Sequence, residues 1–154
     1  MKGTGERDIG NVETFERIVK DFFDFALCHV PSYKKYFNLR TTTLRKERAN
    51  NRNLFFRPIG LEILARLYVI YARSDSLERL KLGFSRVNFQ NPGGVFDGIL
   101  WTNGKISAGS EEKKAAVELC RYVLGDLTAV EKQQLLRSLR YITKNQRYRL
   151  PARL

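Results

Sequence analysis

Residues 54–73 read LFFRPIGLEILARLYVIYAR, the longest dense apolar run of the chain, and its periodicity decides the fold. Pro58 suits the first turn of a helix, where a missing N–H costs nothing and the fixed φ is already helical. Arg57, just before it, is pushed toward extended backbone. Beyond it Ile59, Ile63, Leu67 and Ile70 follow at spacings of four, four and three, and Leu64, Tyr68 and Tyr71 widen that stripe to most of the circumference. A helix apolar on so many sides belongs at the centre of a core. Glu62 and Arg66 interrupt it, and about 15 residues would span roughly 22 Å, too little to cross a bilayer.

The flanks supply partners for that helix. Residues 1–10, with three glycines, are expected to be a flexible lead-in to a single helical domain over 11–154. Asn11 is placed to cap a helix whose apolar positions (Val12, Phe15, Ile18, Val19, Phe22, Phe23, Ala26, Leu27) recur at three and four until Pro31 stops it. Residues 32–38 predict a short helical turn. Residues 41–53, TTTLRKERANNRN, are the least apolar stretch, anchored only by Leu44 and Ala49, and read as a mobile connector holding at most a helical turn.

After the central helix, Ser74 and Asp75 are expected to cap a short helix through Leu77, Leu80 and Leu82, ended by Gly83. Asn103-Gly104 between apolar residues is a strong short-range hairpin signal, because a type I′ turn needs positive φ at both positions. Trp101 should then pack in the core near the central helix. Ser110, with Glu111 and Glu112 in the first turn, should cap a helix closed by Gly125. Thr128 and Glu131 stand at capping-box spacing at the head of a last helix, whose apolar side is Val130, Leu135, Leu136, Leu139 and Ile142. The fold class is mainly α: a compact helical domain of about five helices around the central one, with one short β-hairpin.

The chain has 154 residues, 43% of them apolar and 12% aromatic, which excludes the disordered class and suits one folded unit. With neither a signal-peptide pattern nor a membrane-spanning run, the expectation is an intracellular, cytoplasmic protein without membrane contact. Cys28 and Cys120 lie far apart, without the close spacing of a zinc site, and are expected to be buried small hydrophobes. His29 is the only histidine, and its side chain and that of Cys28 diverge by about 100° on a helix. Neither a metal, a cofactor nor an enzyme activity is therefore expected.

The net charge of +12 is unevenly spread. Residues 33–57 hold eight basic residues against Glu47 alone, and residues 132–154 hold seven with no acid. Two acid-poor segments in an otherwise balanced chain point to a polyanion. On a continuous last helix Arg137, Arg140, Lys144 and Arg147 step by three, four and three, so one face would carry four cations, a row that repels itself unless water or an anion faces it. Arg45, Lys46, Arg48 and Arg52 form a second candidate contact. The other reading of the same charge is a protein-interaction domain, docking to a partner or to a missing N-terminal domain through aromatic surface or basic arms.

The order of Phe56, Arg57, Pro58, Ile59 and Gly60, then Gly98, Ile99, Leu100 and Trp101, then KISAG and an alanine-containing helix resembles the C-terminal region of DGQHR-domain proteins, among them DndB-like regulators of bacterial DNA sulfur modification. The resemblance covers roughly residues 54–125; the name-giving Asp-Gly-Gln-His-Arg signature is absent from this sequence. It implies a fragment or shortened relative, and a DNA-binding role in regulating phosphorothioation genes. Chemistry tied to the missing signature is not implied.

Overall fold

The computed structural model describes residues 5–50, 53–89, 94–102, 105–106 and 109–153. Among them are seven α-helices: α1 Gly5–His29, α2 Pro31–Phe37, α3 Thr41–Asn50, α4 Pro58–Arg73, α5 Leu77–Arg86, α6 Ser110–Val123 and α7 Ala129–Thr143. A 3-10 turn, Leu54–Phe56, precedes α4, and β1 Trp101–Thr102 pairs antiparallel with β2 Lys105–Ile106 in the register Trp101↔Ile106, Thr102↔Lys105. The mainly helical fold with one small hairpin is as the sequence predicts; the Asn103-Gly104 turn itself lies outside the described residues.

α4 is the hub. Its Ile63, Leu64, Leu67 and Tyr71 are almost wholly buried, and it packs against α1, α5, α6 and the 3-10 turn. Gly60 permits the close approach of the 3-10 turn: a Cβ there would collide with the Leu54 carbonyl group. Asn53, the one buried polar residue among those described, fixes that turn by accepting the Phe55 N–H at 2.9 Å on Oδ1 and donating from Nδ2 to Ser32 Oγ at 2.9 Å. Phe55, within the turn, meets Tyr33, Phe84 and Phe89, with ring centroids 5.4, 5.6 and 4.4 Å away. α6 packs on α4, and α7 on α6.

Several expectations are corrected. The first helix begins at Gly5, so Gly5–Gly10 are helical and Asn11 lies inside α1 instead of capping it. Among the described side chains of α1, those of its C-terminal half reach the core, where Phe22 and Phe25 meet Tyr68 at 5.5 and 5.2 Å. Val12, Phe15 and Ile18 stay 54%, 66% and 48% exposed. Residues 41–50 are a helix and not a mobile connector, because Leu, Arg, Lys, Glu and Ala are good helix formers even without a core face. Gly83 lies within α5, where the Leu124 side chain fills the place of a Cβ. Cys28 is exposed; only Cys120 is buried, and burial pushes its thiol up to about 12.

Candidate nucleic-acid interface

Three acids of the α6–α7 turn, Glu118, Asp126 and Glu131, gather around Arg121. Arg121 Nη1 lies 3.1 Å from Glu118 and 3.6 Å from Glu131, and its Nε lies 3.4 Å from Asp126, which Arg79 also meets at 3.4 Å. The α4–α6 contact uses another acid: Glu62 pairs with Lys113 at 2.6 Å and Arg66 at 2.8 Å. The hydrogen bond from Lys113 is the main reason the Glu62 carboxyl is held below its usual range. Glu131 is lowered as well, first by the Thr128 backbone N–H and then by its hydroxyl.

Past this network no acid follows. Among the described residues Lys132, Arg137, Arg140, Lys144, Arg147, Arg149 and Arg153 make no ion pair with a carboxylate. Lys132 and Arg153 instead lie over the Tyr122 ring, 5.7 and 4.9 Å from its centroid.

The expected four-cation helical row is not what forms. α7 stops at Thr143, and Lys144 takes the left-handed conformation (φ 52°) as its C-cap. The chain then turns: Asn145 accepts the Arg147 N–H on Oδ1 at 2.9 Å and the Tyr148 N–H on its carbonyl at 3.0 Å. Tyr148 and Leu150 pack against the core and hold this segment on the body. Only Arg137 and Arg140 therefore share the helix; Lys144 and Arg147 fan out beyond its end, which relieves the repulsion of a continuous row. Arg137, Lys144 and Arg147 are exposed, while Arg140 is half-buried with Nε lacking a partner among the described residues.

Arg45 and Lys46 are exposed on α3. Arg48 also belongs to α3, but its side chain and the whole of Arg52 lie outside the described residues. α3 and α7 do not pack extensively on one another. Tyr141, which the apolar pattern of the last helix does not include, is 82% exposed one turn after Arg137; its spacing of four from that arginine is the available signal. Val130, expected on the apolar side, is 67% exposed at the head of α7.

Trp101 is buried, as expected, with Nε1 unpartnered among the described residues. The structure sets its loop beside the end of α7: the Cβ position on Gly98 is 4.0 Å from Thr143 Cγ2. Among the described residues no group of three His, Cys, Asp or Glu could hold a metal, and no helix is long and apolar enough to cross a membrane. No protein-family model, curated protein or solved structure matches the chain.

Proposed function

We propose that this chain is a DNA-binding module, of the kind found in DndB-like regulators of bacterial phosphorothioation genes, with no catalytic role of its own. The observation that carries the reading is the segregation of charge: the acids of the α6–α7 turn are spent on Arg121, and the cations from Lys132 onward have no carboxylate partner among the described residues. Unpaired cations held on an ordered segment are suited to phosphates, which fix position without reading sequence. Arg137, Arg140, Lys144 and Arg147 are the primary contacts, and α3 offers Arg45, Lys46 and Arg48 as a separate arm, with Arg52 just beyond it. The resemblance at Phe56–Gly60 and Gly98–Trp101 supports the regulator class.

The test is fluorescence anisotropy of a labelled duplex against salt concentration. Removing one phosphate-binding side chain should lower the slope of log affinity on log salt by about one. A protein with Arg137, Arg140, Lys144 and Arg147 changed to alanine should therefore bind with a slope smaller by about four units. Binding indifferent to salt would contradict the proposal.

One observation favours a second reading, a protein-docking module: the unburied Val12, Phe15 and Ile18 on α1. The two separate cleanly. Charge reversal at Arg137 and Arg140 should abolish DNA binding while sparing apolar docking, and Phe15→Asp should do the reverse.

A further inference from the structure

We infer that the cavity between the start of α6 and the end of α7 receives an unpaired base of a DNA strand whose phosphates lie on the neighbouring cations. This rests on the DNA-binding reading and adds what the site recognises. The cavity measures about 600 Å³, within the range of about 300–1,000 Å³ usual for ligand pockets. Its walls differ in chemistry. Arg140, Tyr141, Lys144 and Gln146 come from α7 and the turn after it, and Glu111 and Glu112 from the first turn of α6.

A bare phosphate suits this space poorly, because the Glu111 carboxylate lines the same cavity as the cations and would repel it. A base attached to a phosphate matches each part in turn. The phosphate stays at the rim with Lys144 and the exposed Arg137 and Arg147. The ring finds an aromatic face in Tyr141, which at 82% exposed is the barest of the large apolar side chains described. The base edge meets the Gln146 amide, which donates and accepts, and the Glu111 carboxylate on α6, which accepts from exocyclic amino groups. Arg140 adds a buried Nε–H donor that has no partner among the described residues. Paired bases inside a duplex have both faces covered by their neighbours, so only an unpaired or extruded base can stack on Tyr141.

The experiment compares three probes by anisotropy at one salt concentration: a mixed-sequence single strand, the same strand annealed to its complement, and an abasic strand of equal length. The wild type should bind the single strand most tightly. Tyr141→Ala should weaken that binding on the order of 5- to 150-fold, the usual size of one base–aromatic stack, and leave duplex affinity and salt slope unchanged. Tyr141→Phe keeps the ring and should bind as wild type. The abasic strand should bind wild type no better than the normal strand binds Tyr141→Ala. Equal affinities of wild type and Tyr141→Ala for the single strand, or equal weakening on single strand and duplex, overturn the base pocket and leave phosphate binding standing. Absence of binding to all three probes by the wild type at low salt overturns both readings.

Discussion

The two ends of α7 treat charge in opposite ways. At its N-terminus Thr128 Oγ1 accepts the Glu131 N–H at 3.3 Å, and the Glu131 carboxylate accepts the Thr128 N–H at 2.8 Å and the hydroxyl at 2.7 Å while facing Arg121. The acid there is answered within the protein. At the C-terminus Thr143 donates its hydroxyl to the Leu139 carbonyl at 2.7 Å, Lys144 closes the helix, and no ion pair with a carboxylate forms among the described residues. The helix dipole favours cations at that end by about 0.3–1 kcal/mol each, so they can be kept there without an acid. The lesson is that one helix carries a closed ion-pair network at one end and, among the described residues, cations without carboxylate partners at the other, by where the few acids are placed.

The mutation with the largest effect should erase the distinction. Leu139 is completely buried on α7, the helix that packs on α6. Leu139→Ala should cost about 2–5 kcal/mol in urea unfolding and weaken DNA binding too, since the cations no longer have a firm platform. Thr128→Ala should sharpen the distinction instead. Removal of the cap costs about 1 kcal/mol of stability, and DNA affinity measured on the folded protein should not change. A Thr128→Ala protein of full stability but weakened DNA binding would mean that the two ends are not separable.

The core is legible in the sequence because it obeys period and punctuation. Pro58, the Ile63–Leu67 stripe, the Thr128–Glu131 box and the left-handed Gly125 all form where residue chemistry places them. What does not show is whatever depends on a neighbour distant in sequence. Gly83 has the look of a helix stop, and only the Leu124 side chain packed against it explains its place inside α5. The apolar periodicity of α1 is continuous from Val12 to Leu27, yet nothing in it tells that the stripe outruns the body at Ile18. For the cations, spacing alone assumes an unbroken helix, and Lys144 breaks it with a left-handed turn more usual for glycine or asparagine. Tyr141 escapes notice because an aromatic at helical spacing is ordinarily core.

The smallest effect is also the most selective, because it titrates one end of α7 and not the other. Glu131 is held below its ordinary value near 4.5, chiefly by the Thr128 backbone N–H, then by the Thr128 hydroxyl, with Arg121 adding a smaller pull. A carboxyl whose folded pKa is depressed contributes stability that is present above its unfolded value and is lost as pH falls through the folded value. Stability should therefore decline below about pH 4.5, and Glu131→Gln is the control. Glutamine keeps the capping geometry but cannot titrate, so the variant should be slightly less stable near neutrality and should converge with wild type as the solution is acidified. Glu62 titrates in the same direction in both proteins and cancels in the comparison. Urea unfolding of the pair between about pH 3 and 7 reads this directly. Parallel curves would show that the clamp at Thr128 owes nothing to charge, and the contrast between the ends of α7 would reduce to a difference in hydrogen bonding.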